Sequence, residues 1–131
     1  MMGLDMYAFR VKAEDVIDDF NVRGQDAGRE DDLEELAYWR KHHDLHGWME
    51  RLYRSKGGDK ESFNCVPVRL TMEDLQLLEH DVLNGRLPET QGFFFGTNPP
   101  DEWTMEQDMK FIGSAKMAIT QGDAVYYDSW W

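Results

Sequence analysis

The side chains whose types and spacing could do chemistry gather between Trp39 and Arg54. On a helix, His42, His46 and Glu50 would recur every four residues, a spacing that can aim two imidazoles and a carboxylate at one metal ion. The glutamate that directly follows the first histidine of a zincin is missing, and a solvated polar helix face accounts for the same pattern. Another face of that helix would carry Arg40, His43, Gly47, Arg51 and Arg54. Guanidinium groups flanking a glycine could admit a phosphate or carboxylate. The competing account pairs those cations with the acidic stretch that precedes them. The solvated face and the internal pairing are preferred, so neither a metal nor a cofactor is expected.

Aromatic residues are the third feature. Trp39, Trp48, Trp103, Trp130 and Trp131, with the run Phe93 to Phe95, belong mostly in a core. Trp130 and Trp131 are neighbours on a predicted strand and must face opposite sides, which brings one of them to the surface. Tryptophan beside arginine is the composition of a binding hot spot. The expected ligand or partner surface is therefore Trp39, Arg40, His43, Trp48, Arg51, Arg54, Trp130 and Trp131. No catalytic residue is assigned: Ser55, Ser62, Ser114 and Ser129 lack a nucleophile-elbow frame. Cys65 beside Asn64 could pair with His42, His43 or His46, but a lone cysteine is more often a small buried hydrophobe.

These residues need elements to position them. Leu4 to Val11 alternates with period two and reads as a strand, as does Ala124 to Trp131. Glu14 to Asp32 reads as an acidic loop with a helical turn near Val16 to Phe20. Leu33 to Lys56 favours helix, but Leu33 and Leu36 fall off the stripe of Leu45, Trp48, Met49, Leu52 and Tyr53. A break near His43 and Asp44, with Asp44 capping a second helix, reconciles them. Val66 to Leu70 reads as a strand that Pro67 confines to an edge. Thr71 and Asp74 form a capping box ahead of Leu75, Leu78 and Val82, with Asn84-Gly85 as the stop. Gly92 to Gly96 reads as a buried strand, Asn98 to Asp101 as a turn, and Thr104 with Gln107 as the cap of a helix reaching Gly122. The fold expected is α+β: one domain over 1–131 with a small sheet of about four strands packed on three or four helices.

Composition narrows the function classes. The chain has 131 residues, 41% of them hydrophobic, and a formal charge of −12. Such charge repels nucleic acid over most of the surface. No run of about 18 apolar residues occurs, so no membrane span is expected and the cytoplasm is the default location. The charge is uneven. Residues 14–35 hold ten acids against Arg23 and Arg29, whereas 36–60 are net basic. The acidic segment is expected to fold back over Arg40, Arg51 and Arg54 as a loose, salt-sensitive mask.

Met2-Gly3-Leu4-Asp5-Met6-Tyr7, Tyr38-Trp39-Arg40-Lys41-His42, Leu45-His46-Gly47-Trp48-Met49, Gly92 to Gly96 and the closing Ser129-Trp130-Trp131 carry a resemblance. The chain resembles a family of short bacterial and phage proteins with this opening, to which the label phosphoglycerate kinase is often attached. The resemblance implies no chemistry, and the label conflicts with the physics. A phosphoglycerate kinase closes two lobes on its substrates, and 131 residues supply one domain of ordinary size. Gly57-Gly58-Asp59-Lys60 also lacks the spacing of a phosphate loop.

The function expected is a non-enzymatic protein-interaction module, phage-related in origin, with an aromatic and Arg-rich surface and an unidentified protein partner. The alternative is a small-ligand protein or enzyme that takes an anionic substrate through Arg40, His43, Arg51 and Arg54.

Overall fold

A computed structural model of the protein describes residues 4–22, 34–40, 42–61, 63, 66–87 and 102–130. The expected strand at 92–96, the turn at 98–101, Cys65, the Trp103 side chain and Trp131 lie outside the described residues. The architecture is α+β, as the alternation of the sequence predicts. Strands β1 (Asp5–Lys12), β4 (Glu34–Arg40), β5 (Val68–Leu70) and β6 (Asp123–Trp130) form one antiparallel sheet in the order β4-β1-β6-β5. Helices α1 (His43–Ser55), α2 (Met72–Leu83) and α3 (Glu102–Thr120) accompany it. A short hairpin, β2 (Val16–Asp18) with β3 (Asn21–Val22), stands apart from the sheet ladder.

Period two divides each strand between two faces. Met6, Ala8, Trp39, Val68, Leu70, Val125 and Tyr127 share one cluster with Leu45 and Met49 of α1, Leu75, Leu78 and Val82 of α2, and Phe111, Ile112, Ala115 and Ala118 of α3. All three helices therefore cover the same face of the sheet. The opposite face carries a smaller cluster of Phe9, Val11, Ala124 and Tyr126, onto which Val16 and Val22 of the hairpin pack.

Helix α2 begins as its sequence dictates. The Thr71 hydroxyl accepts from the Asp74 amide and the Asp74 carboxylate accepts from the Thr71 amide, so two of the amides left open at the helix start are satisfied. Lys56 adds an ion pair to Asp74 at 2.8 Å, and these bonds hold the Asp74 carboxyl below its ordinary range although burial opposes them. Gly85, in the left-handed region at φ 64°, follows the helix end.

Four expectations are corrected. Residues 34–40 form strand β4 and not a helix, because pairing with β1 from Asp5↔Arg40 onward outweighs the helix preference of Glu34, Glu35, Leu36 and Ala37. The break before α1 is real, but it separates a strand from a helix. Asp44 lies inside the first turn of α1 and His42 occupies the cap position. Thr104 likewise lies within α3, two residues past its start at Glu102. Residues 16–22 are a hairpin and not a helical turn. The Asp18 carboxylate accepts from the Phe20 amide (2.8 Å) and the Asn21 side chain (2.9 Å), which closes the turn and lowers the Asp18 pKa.

That hairpin also explains how the three-residue strand β5 survives at the rim. The Asp19 carbonyl accepts from the Arg69 amide (2.8 Å), the Tyr126 hydroxyl donates to the Asp18 carbonyl (2.6 Å), and Phe20 meets the Tyr53 ring edge-on at 4.9 Å. The turn thus wraps the outer side of β5 and reaches the helical layer, and it offers a backbone acceptor where an edge strand would expose a donor.

Candidate binding face

The segment Trp39 to Arg54, which promised chemistry, is split by the fold between interior and surface. Trp39 is buried, with its indole donating to Asp108 Oδ1 (3.0 Å) and its ring edge-on to Phe111. His42 Nε2 lies 2.9 Å from Asp108 Oδ2. Asp108 is itself only 2% exposed, so one carboxylate on α3 holds an indole and an imidazole at the junction of β4 and α1. Trp48 is buried and donates to Asp81 Oδ2 of α2 (2.8 Å). These tryptophans brace helices.

His43 and His46 are also buried. His46 Nδ1 meets the Tyr127 hydroxyl at 2.7 Å, and its ring stacks on Phe63 at 5.1 Å. Burial, then the nearby His43, lowers the His46 pKa to about 4, so the ring is neutral at pH 7. Burial pushes the Tyr127 hydroxyl well above the usual tyrosine range. His42, His46 and Glu50 do not converge: the first serves Asp108, the second Tyr127, and Glu50 pairs with Arg54 at 3.6 Å. Among the described residues, no three His, Cys, Asp or Glu side chains are placed to hold a metal.

The cations separate as well. Arg40 stands opposite Asp5 on the sheet, on the side away from the helices, whereas Arg51 and Arg54 lie on the exposed side of α1. Arg54 sits 5.1 Å over the Tyr53 ring and donates to the Gly58 and Glu61 carbonyls, which closes the loop after α1. Residues 23–33 of the expected mask lie outside the described residues. The hairpin's contacts run to Phe9, Tyr126, Arg69 and Tyr53, and Glu34 pairs with Arg10 at 3.7 Å.

A different surface emerges from the register. Asp5 pairs with Arg40 on one side and Trp130 on the other, Tyr7 with Tyr38 and Asp128, and Phe9 with Glu35 and Tyr126. Cross-strand partners share a face, so Arg40, Tyr38, Glu35, Asp5, Tyr7, Trp130 and Asp128 all lie on the side opposite the helices. The hairpin covers the far end of this face over Phe9 and Tyr126. At the near end Tyr38 remains 45% exposed and Trp130 66% exposed. Tyr7 and Tyr38 rest with centroids 5.3 Å apart, and the Tyr38 hydroxyl donates to Asp5 Oδ1 (2.7 Å). The Tyr7 pKa is raised by burial and then by the charges of Asp5, Glu35 and Asp128, while that of Tyr38 is raised first by its bond to Asp5.

Of the residues singled out from sequence, this face keeps Arg40 and Trp130. It adds Tyr7, Tyr38, Asp5, Glu35 and Asp128. Alternation already grouped Asp5 with Tyr7 on β1 and Asp128 with Trp130 on β6, but the register joins the two pairs, and Tyr38 and Glu35 join them only once 34–40 is known to be a strand. Comparison with known proteins returns no match: no protein-family model, no curated protein and no solved structure is similar to this chain.

Proposed function

We propose that the protein is a non-enzymatic interaction module that binds another protein through the near end of its open sheet face. The observation that supports this reading is the exposure of Trp130 beside Tyr38 and Tyr7, on a face whose other half is already covered by an apolar hairpin. Exposed aromatic groups with a charged rim are the composition of an interface centre. A large net charge favours solubility and steers encounter. No helix among the described residues is long and apolar enough to cross a membrane, and the same reading places the module in the cytoplasm. The anionic-substrate alternative gains no support, since Arg40 is divided from Arg51 and Arg54 by the sheet.

The test is site-specific photo-crosslinking. A photoreactive phenylalanine at position 38 or 130 should capture a discrete protein from cell extract, with unlabelled protein competing and the Trp130→Ala form competing poorly. The same group at Arg51 should not capture it. Equal capture from position 51, or competition that is indifferent to Trp130→Ala, would overturn the proposed face.

A further inference from the structure

Resting on the interaction-module reading, we infer that the partner is a cationic segment, whose arginine or lysine side chains enter between the aromatic rings and the carboxylates of the open face. Three carboxylates, Asp5, Glu35 and Asp128, lie on this side of the sheet, against the guanidinium of Arg40 at the near end and that of Arg69 at the hairpin end. They are interleaved with the rings of Tyr7, Tyr38 and Trp130. Aromatic faces attract a cation through their quadrupole, and a carboxylate binds it by charge. The two groups therefore favour the same guest. Their combined field is felt within the face, where all three acids act on the Tyr7 phenol. A carboxylate can accept up to about four hydrogen bonds, so the Tyr38 bond on Asp5 Oδ1 is compatible with a second donor.

Charge also discriminates among occupants. A second copy of the chain would bring another −12 to the same surface, and a nucleic acid would bring phosphates to these carboxylates. Both are repelled. A neutral apolar segment would cover the rings but take the carboxylates out of water with no counter-charge from the guest, which is costly. An extended cationic segment meets each requirement. The hairpin shows how such a guest can sit, since Val16 and Val22 already lie on Phe9 and Tyr126 along the same face.

The probe is an alternating Arg-Gly peptide, with Lys-Gly and Glu-Gly peptides as comparators, titrated by fluorescence anisotropy at low and physiological salt. The expected result is binding of the two cationic peptides and none of the Glu-Gly peptide, with affinity falling as salt rises. Asp5→Asn, Asp128→Asn and Trp130→Ala should each weaken Arg-Gly binding about three- to ten-fold. Glu106→Gln, which neutralises an exposed acid on α3, should leave it unchanged. These substituted positions lie at or near the surface, and retention of the wild-type thermal midpoint identifies a loss of binding as local. Equal weakening by Glu106→Gln would mean unspecific attraction to an acidic protein and would overturn the inference. So would Trp130-dependent binding of the Glu-Gly peptide, or Trp130-dependent self-association in sedimentation. If crosslinking from position 130 captures a discrete partner while the cationic peptides ignore the face, the module stands and its partner is not cationic. If neither occurs, both readings fall.

Discussion

Truncation of Asp108 should be among the most damaging single changes in the chain. Asp108 is 2% exposed, and its carboxylate accepts from Trp39 Nε1 at 3.0 Å and from His42 Nε2 at 2.9 Å, which joins α3 to the end of β4 and the start of α1. A buried donor left without its acceptor costs about 1–3 kcal/mol. The two are not equivalent. The His42 side chain is 11% exposed and can recover water, whereas the Trp39 indole is walled in by Phe111. The larger share falls on the indole, and Asp108→Ala should cost about 3–4 kcal/mol in all. That is a sizeable part of the stability of an ordinary domain. Urea unfolding, followed by tryptophan fluorescence, should show a midpoint lower by about 2 M at unchanged slope. Asp108→Asn keeps one acceptor and should fall between wild type and Ala. In a Trp39→Phe background the indole donor is gone, so Asp108→Ala should cost about 1–2 kcal/mol less there, the coupling that a double-mutant cycle isolates. A cost below about 0.5 kcal/mol for Asp108→Ala, or an equal cost in both backgrounds, would refute the assignment of Asp108 as the shared acceptor.

Leu78→Ala on α2 should cost about 2–5 kcal/mol, because Leu78 is fully buried in the main core; equilibrium unfolding checks this. His46 makes stability depend on pH. Its folded pKa of about 4 lies below the ordinary 6.5, so between those values the unfolded chain binds the extra proton. Stability should therefore rise with pH across that window and be lost as pH falls through it, by about 3 kcal/mol at most. Thermal unfolding of wild type and His46→Phe at pH 4 to 7 should show a shallower dependence in the variant. Val22→Ser, which loosens the hairpin over Phe9 and Tyr126, should lower stability by about 1–2 kcal/mol and increase amide exchange at Arg69, whose N–H is bonded to Asp19. Unchanged exchange at Arg69 would separate the hairpin's packing from its grip on β5.

What could be read from the sequence was local. Helix α2 was legible because Thr71, Asp74, Leu75, Leu78, Val82 and Gly85 specify its start, its buried stripe and its stop within fifteen residues. Strands β1 and β6 were legible through period two. Strand β4 was not, since Glu34 to Ala37 are good helix formers and only pairing with β1 makes them extended. The misplacement of Leu33 and Leu36 on the apolar stripe was the signal, and it marked a change of element where a kink was inferred. The site suffered from the same limit. Trp39, read as a surface anchor, finds its acceptor on Asp108, 69 positions later, and no local pattern encodes such a meeting. That one of Trp130 and Trp131 reaches the surface was legible, because neighbours on a strand face opposite sides, but which of the two was not, and Tyr38 and Glu35 depended on a register that only the folded sheet supplies.

The position of β6 in the sheet sets the order in which this chain can be assembled. Residues 123–130 lie between β1 and β5, and without them the sheet divides into the pair β1 and β4 and a solitary three-residue strand. A ribosome releasing the chain from its N-terminal side would expose β1 long before its central neighbour exists. Until β6 arrives, Met6, Ala8 and Val68 have no finished layer to join, and the nascent segments resemble the unpaired edges on which holdase chaperones act. Synthesis should thus yield no stable sheet before β6 emerges. Protection of the nascent chain from protease should appear in a single step once β6 is out, not strand by strand.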